Sequence, residues 1–238
     1  MIENAGHFYR TDARNKNSFT VTYKNANIFV TSDGELREEI KDLLPEIYDT
    51  VENYIALNPP FGKSFIPLEK DEDAPEIIKR MFDAAGAAKT GPMASVAGAI
   101  AEALFRRVAK KFRTLIIENG GDIFLASDSA LTCGFYSGTG FDNFGIRIKK
   151  KFMPCGISSS SSKIGHSVSF GKSALATVIS RSGAAADAFA TMLANKIQSY
   201  ASLKNAVDEC AAQKNVIGCA GIFEDKIAFA GDIEFLKT

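Results

Sequence analysis

Asp187 and Thr191 lie four residues apart in AAADAFATML, a spacing that sends both side chains from one side of a helix. Ala184, Ala185, Ala186, Ala188 and Ala190 surround them and leave open space above that side. A carboxylate and a hydroxyl with room in front can share a hard cation, which prefers oxygen ligands and keeps some of its waters. The same pair also suits a purely structural arrangement: a Thr191 hydroxyl bonded back to a helical carbonyl, and Asp187 stabilised by the dipole of the helix N-terminus. Spacing alone favours the structural arrangement.

A second constellation is ENGGD, residues Glu118, Asn119, Gly120, Gly121 and Asp122, set between the apolar runs Leu115–Ile117 and Ile123–Leu125. Asn-Gly between apolar runs is a strong hairpin signal, because both residues accept positive φ. The insert is therefore a turn, and two readings of its chemistry stay open. Either the glycines serve the turn alone, or they bring backbone to a ligand while Asp122 bonds it; Glu118 has no assigned role.

Three further stretches carry reactive groups. His166 in KIGHSVSFGK is the one histidine within a candidate site, and an imidazole near neutrality can act as a general base toward a hydroxyl. Lys172, six residues on, either neutralises a phosphate or is solvated. The run Ser158, Ser159, Ser160 and its neighbours reads as a mobile linker by composition, or as a ligand-facing loop because it sits inside a compact chain. Thr90-Gly91-Pro92-Met93 looks like a helix break and restart, with Pro92 at the first helical position. A restarted helix points unpaired N–H groups at whatever precedes it, which suits an anion. Ala94, Ala97, Gly98 and Ala101 then line one side of that helix, small enough for a second backbone or a flat ligand to come close.

The composition limits what these groups can serve. The chain has 238 residues, 46% of them hydrophobic, which suits one large domain or two intimately packed halves. Lysines and arginines number 28, as do aspartates and glutamates, so no general nucleic-acid or acidic-membrane partner is indicated. The local basic run from Arg147 to Lys151 reads as the solvated face or end of a strand. With two histidines in all, a site built on several is excluded. Cys133, Cys155, Cys210 and Cys219 match no zinc or redox spacing and read as reduced thiols. The first residues lack the apolar region of a secretory signal and no run spans a bilayer, so a cytoplasmic protein is expected.

The elements that must position these groups follow from periodicity. Phe19–Tyr23 and Ile28–Thr31 form a hairpin pattern. Ser32 three residues before Glu35 reads as a capping box, followed by Leu36, Ile40, Leu43, Leu44, Ile47, Val51 and Ile55 at helical spacing. Residues 58–75 read as loop, and a second helix starts near Pro75. Short strands are expected around Thr132–Tyr136 and Phe144–Lys149, a strand over 174–181, a helix over Ala184–Leu203, a shorter one over Leu203–Gln213, and a final hairpin. Strand pairs joined by tight turns, with paired helices between them, indicate α+β with antiparallel sheet. The order suggests two similar halves, about 1–112 and 113–238, packed as a single domain, without a convincing internal sequence repeat.

GPMASVAGAIAEAL, ENGGDIFL, SSSSSKIGHSVSFGK and DAFATMLAN together resemble the ApbE flavin-transferase superfamily in order and rough spacing, and most of all its compact uncharacterised branch. The resemblance covers nearly the whole chain. It implies an α+β fold of antiparallel sheets with paired helices, related to the tunnel-fold enzymes. It also implies binding of FAD or a related flavin nucleotide with Mg²⁺, and either FMN transfer to a threonine of a target protein or hydrolysis of FAD. A non-catalytic flavin or nucleotide binder, or an enzyme for another small ligand, is the alternative. By resemblance, Asp187 and Thr191 hold the metal, and His166 is the base. Asn119, Gly120, Gly121, Asp122, Thr90, Gly91, Met93, Ser158, Ser159, Ser160 and Lys172 line the nucleotide site. Transferases typically carry Lys-Gly-x-Ala-x-Asp where this chain reads Thr90-Gly91-Pro92-Met93-Ala94-Ser95, and His-x-x-Asp-Pro where His166 is followed by Ser167-Val168-Ser169. A homodimer is compatible with the fold class.

Overall fold

The computed structural model describes residues 17–161 and 171–237. The strands are β1 (Asn17–Tyr23), β2 (Ala26–Ser32), β3 (Leu115–Asn119), β4 (Asp122–Ala126), β5 (Leu131–Gly134), β6 (Phe144–Ile148), β7 (Cys155–Ser160), β8 (Leu175–Ser180), β9 (Val216–Phe223), β10 (Lys226–Gly231) and β11 (Glu234–Lys237). The helices are α1 (Arg37–Leu57), α2 (Pro59–Lys63), α3 (Glu76–Ala88), α4 (Val96–Val108), α5 (Gly183–Lys196) and α6 (Tyr200–Ala211). Eight strands form one antiparallel sheet in the order β1-β2-β3-β4-β7-β8-β9-β10, and β11-β6-β5 form a second, smaller one.

Strand alternation decides which layer each residue serves, because successive side chains point to opposite faces. Ile28, Val30, Ile117, Phe124 and Val178 join the helices in the main core. Leu125, Cys155, Ile157 and Ile179 point the other way and pack against Ile146 and Ile148 of the small sheet. The large sheet is thus covered by helices on one face and by three strands on the other, which is why β7 and β8 are buried along nearly their whole length. Tyr54, Phe61 and Phe82 tie α1, α2 and α3 together edge to face, with centroids 5.0 Å apart for the first pair and 4.9 Å for the Phe61–Phe82 pair.

Several local expectations change. Ser32 is the last residue of β2 and donates its hydroxyl to the Gly34 carbonyl, and α1 begins after Leu36 without a side-chain cap. No capping box forms there, because the sheet claims Ser32 first. The stretch expected as loop after Asn58 contains α2. The helix expected over Ala184–Leu203 is two: α5 stops at Lys196, and Ser199 caps α6 in a true capping box with Ser202. The serine run is neither linker nor loop up to Ser160, since Cys155–Ser160 is β7 between β4 and β8. The break at Thr90-Gly91 stands: Lys89 ends α3 in the left-handed region at φ 56°, and Pro92 opens a single turn of 3-10 helix that runs into α4.

Candidate functional site

The start of α4 and the start of α5 are clasped together. A Cβ on Gly98 would lie 2.2 Å from the Gly183 carbonyl oxygen, and a Cβ on Gly183 would lie 2.5 Å from the Gly98 carbonyl oxygen. Only glycine at both places lets the helices approach so far. Each helix then supplies a carboxylate, one turn after its glycine, to the other's N-terminus. Asp187 of α5 accepts the Gly98 N–H at 3.0 Å. Glu102 of α4 accepts the Gly183 N–H at 2.7 Å and the Ser182 hydroxyl at 2.9 Å. Both contacts satisfy orphan helix donors and complement the dipole. Glu102 is fully buried and is further paired with Arg80 at 3.2 Å and Arg106 at 2.7 Å.

This clasp sets Asp187 beside Asp122. Asp122 opens β4, is buried at 9% exposure, and its Oδ1 has no hydrogen-bond partner among the described residues. Burial and the neighbouring Asp187 push its carboxyl well above the usual carboxylate range, against a smaller opposing pull from Ser158. Burial likewise raises Asp187 to about 7, opposed by the Gly98 and Ala97 N–H groups. Two carboxylates that burial and repulsion make reluctant to ionise are characteristic of a site built for another charge.

The hydroxyls nearby come from β7. Gly156 backs directly onto Gly183, where its Cβ would lie 2.6 Å from the Gly183 Cα. Asp122 feels both the Asp187 carboxylate and the Ser158 hydroxyl, so α5, β4 and β7 meet there, and Thr191, one turn along α5 from Asp187, is half-buried. The Ser160 hydroxyl is buried and without a hydrogen-bond partner among the described residues, and the buried Ser158 hydroxyl is turned toward Asp122. The result is a strip of oxygens (Asp187, Asp122, Ser158 and, two residues on along β7, Ser160) inside an otherwise apolar helix–sheet interface.

A pocket of about 270 Å³ opens next to this strip. Tyr48, Val51, Glu52 and Ile55 of α1 form one wall, and Met93, Ala97 and Asn119 another. Asn119 donates to the Ala97 carbonyl at 3.3 Å. The N–H of the same peptide unit belongs to Gly98 and is the one held by Asp187. Pocket and acid pair therefore meet across a single peptide.

The remaining expected residues divide. Gly120 and Gly121 form the tight turn with φ of 64° and 103°, and among the described residues nothing lies within 4 Å of a Cβ added to either. Both glycines are required by the backbone conformation. Gly91 is roofed by its own chain: a Cβ there would lie 1.8 Å from the Ser64 carbonyl, so residues 64–65 cover the place expected to receive a ligand. Thr90 is buried beside it, its hydroxyl without a hydrogen-bond partner among the described residues. Ser159 turns to the other face of the sheet and pairs with the Thr177 hydroxyl at 2.8 Å, as strand alternation demands. It does not join Ser158 and Ser160. Glu118 likewise alternates away from Asn119, to the side of the small sheet, where it adds to the upward shift that burial imposes on the Cys133 thiol. Lys172 is exposed, with its N–H on the Ile197 carbonyl at 2.9 Å. That is the far end of α5, about 15 Å along the axis from Asp187 at helical rise. His166 lies outside the described residues.

The four cysteines are free. Burial pushes Cys133 to about 11 and Cys155 to about 12, and a hydrogen bond with Cys219 raises Cys210. Such thiols are poor nucleophiles. Among the described residues no group of three or more His, Cys, Asp or Glu can hold a metal ion. A cation at the oxygen strip would rest on two carboxylates and hydroxyls, completed by substrate and water. That is the habit of magnesium, and the orphaned Asp122 oxygen fits it.

Sequence reading did not single out Glu102, Tyr48 or Glu52. One signal was available: Gly98-Ala-Ile-Ala-Glu102 and Gly183-Ala-Ala-Ala-Asp187 repeat the same glycine-to-acid spacing, and the contact between the two glycines explains why.

A family model described as "AbpE bacteria" matches residues 10–216. The chain belongs to this ApbE-like family. It is 39% identical over 196 residues to a UPF0280 protein of Methanocaldococcus jannaschii, covering 79% of this chain and 80% of that protein. A UPF0280 protein of Methanobrevibacter smithii is 36% identical over 224 residues, covering 90% of this chain and 92% of the relative. Among solved structures, the apo flavinyl transferase ApbE of Pseudomonas stutzeri superposes with a TM-score of 0.57 at 12% identity, over 90% of this chain and 94% of that one. The flavin transferase ApbE of Vibrio cholerae gives 0.60 at 9% identity, over 90% and 96%. The ApbE-like chain thus has the α+β fold of those enzymes, with antiparallel sheets and paired helices. Among its described residues no helix is long and apolar enough to cross a membrane.

Proposed function

We propose that this ApbE-like protein binds a flavin nucleotide such as FAD with Mg²⁺, the cation resting on Asp187 and Thr191 and facing Asp122. The observation that carries this reading is the buried acid pair: Asp122 has an unpartnered oxygen, and both carboxyls are raised beside one another. A divalent cation bound there would neutralise both and draw in phosphate oxygens, since magnesium is held by one or two carboxylates together with substrate phosphates. When bound, it supplies charge neutralisation and alignment for attack on a pyrophosphate.

The chain's own residues do the rest. Asp187 is held in place by the Gly98 N–H, with the Ala97 N–H beside it. Asp122, at the end of the Gly120-Gly121 turn, is set by the β3–β4 register, in which it opposes Asn119. The reaction class is transfer of the FMN phosphoryl to a hydroxyl of a target protein, or to water. In either case the bond to AMP breaks, and a base takes the hydroxyl proton. The base proposed from sequence is His166.

One observation favours a second reading, binding without turnover. Ser95 stands where transferases carry an aspartate, and its hydroxyl is spent on the Pro92 carbonyl at 2.7 Å. A neutral hydroxyl there supplies none of the negative charge that an aspartate would bring to a cation.

Calorimetric titration with FAD, with and without Mg²⁺, followed by chromatography for FMN and AMP, separates these readings. Metal-dependent binding that Asp187→Asn abolishes supports the cleft, and AMP release supports chemistry. Binding of FAD that neither Mg²⁺ nor Asp187→Asn alters would refute the metal-bridged site.

A further inference from the structure

The large sheet ends at β10 and the small sheet at β11, and among the described residues neither outer edge is paired. Both edges lie on one side of the molecule, because the chain passes from β10 to β11 through a corner at Asp232 and Ile233. Gly231 turns that corner with φ of 94°, and Asp232 ties it to Lys149 at 2.6 Å and Lys151 at 2.5 Å. Phenylalanines fill the opening between the two edges. Phe229 of β10 stacks on Phe235 of β11, with centroids 5.4 Å apart, and Phe235 stacks on Phe144 of β6 at 5.0 Å. Phe229 ends that stack and is 51% exposed. On the other face, α6 packs against β10, and Tyr200 at its start is 64% exposed. Asp225 raises the Lys226 ammonium most and Tyr200 adds to that, so Tyr200 stands beside the start of β10.

An exposed strand edge offers a row of backbone donors and acceptors to another chain, and proteins commonly guard it. The guards are proline, inward-pointing charge, a bulge or a very short strand. β10 reads KIAFAG, carries one charge at its first residue, and pairs with β9 without a register shift. The far edges of the two sheets differ. β1 exposes Ser18, Thr20 and Thr22, and Arg37 donates to the Thr20 carbonyl at 3.3 Å. β5 has only four residues. An unguarded apolar edge beside exposed aromatic rings marks a contact surface.

We propose that a second copy of this chain covers this side, its β10 pairing antiparallel with the first β10 about a twofold axis. The large sheet then runs on from one copy into the other. A twofold axis normal to the sheet keeps each face on its own side, so residues opposite each other share a face. Ile227 and Phe229 face the small sheet, and Ala228 and Ala230 face the helices. Two registers set Phe229 opposite Ile227 or opposite Phe229 of the second copy, and in both apolar side chains meet apolar side chains. Lys226 lands opposite Ala230 in the first and Asp232 in the second, never opposite itself. β11 carries Glu234 at one end and Lys237 at the other, so the same axis turns opposite charges toward each other. Equal numbers of acidic and basic residues leave no net repulsion between the copies. β10 is three strands from β7 in the sheet order, about 14 Å at the usual strand spacing, so the acid pair stays open. The inference does not depend on the nucleotide reading.

Sedimentation equilibrium of the whole protein across the micromolar range tests this, together with amide hydrogen exchange at the two ends of that range. The expected species at the upper end has twice the mass of one chain. Amides of residues 226–231 should exchange more slowly there than in dilute protein, while those of β1 should not change. Phe229→Lys puts a charge in the middle of the edge and removes the ring at the centre of the contact. It should raise the dissociation constant about tenfold or more, with the circular dichroism of the wild type retained. If Phe229→Lys does not fold, the exchange of residues 226–231 in the wild type decides alone. A monomer throughout the range would overturn the proposal and leave the edge to a different protein. A dimer whose β10 amides exchange at an unchanged rate would also overturn it, because the contact would then lie elsewhere. So would a folded Phe229→Lys that dimerises as tightly as wild type.

Discussion

Replacing Asp187 by asparagine should make the ligand-free protein more stable at pH 8 while removing its response to Mg²⁺. Burial raises Asp187 from 3.8 to about 7 in the folded protein. The folded state therefore keeps a proton that the unfolded chain has released across that interval. Its contribution to stability is fully present below about pH 4 and declines as pH rises. By the time pH passes through about 7 it is lost, and the loss is constant above. A shift of about 3 units at 1.36 kcal/mol each sets a ceiling of about 4 kcal/mol. The part of Asp187 still open to solvent lowers that figure. Asparagine keeps an oxygen for the Gly98 N–H and carries no charge to bury. At about 2–4 °C per kcal/mol for a chain of this size, Asp187→Asn should melt several degrees above wild type at pH 8, and above it by less than half that margin at pH 5, where only about a third of the interval between the two pKa values has been crossed. Saturating Mg²⁺ at about 100 times its Kd should return about 2.7 kcal/mol to the wild type and nothing to the variant. Thermal melts from pH 5 to pH 8, with and without Mg²⁺, measure all of this. A variant destabilised equally at both pH values would refute the reasoning, since Asp187 would then be an ordinary helix cap.

Two further outcomes test the clasp that holds the acid pair. Gly98→Ala places a methyl 2.2 Å from the Gly183 carbonyl oxygen, so it should cost at least the 1–3 kcal/mol of typical overpacking (about 2 kcal/mol), read as a lowered melting temperature and a shift in the urea midpoint. Glu102→Ala leaves the Gly183 N–H and the Arg80 and Arg106 charges facing an empty site. It should cost about 3–5 kcal/mol, whereas Glu102→Gln, which still accepts from Gly183, should cost clearly less in the same denaturant titration.

The local features were legible because their causes are local. The Asn119–Asp122 turn needs residues tolerant of positive φ, and Gly120 and Gly121 announce that without reference to anything distant. The main helices announce themselves by the spacing of buried residues such as Ile40, Leu44, Ile47 and Val51. Where a local signal failed, a neighbour had prior claim. Ser32 and Glu35 have the capping-box spacing, yet pairing of β2 with β3 fixes Ser32 as a strand end. The serine run has the composition of a linker, yet it lies between β4 and β8, and pairing on both edges makes it a central strand.

The sequence by itself determined the α+β class, the glycine turn, the helix break at Pro92 and the set of acids and hydroxyls from which a site can be built. Only the tertiary structure decided which of them meet. Strand alternation sends Ser158 and Ser160 toward the helices, and Ser159 and Glu118 away. The contact of Gly98 with Gly183 turns two ordinary-looking alanine-rich helix starts into a reciprocal clasp, and that clasp brings Asp187 to Asp122 across 65 residues of chain. Turn and helix propensities act over a few bonds, so they are written in order along the chain. Burial, repulsion between carboxyls and the close approach of two backbones act through space, and they come into being only when the chain has folded.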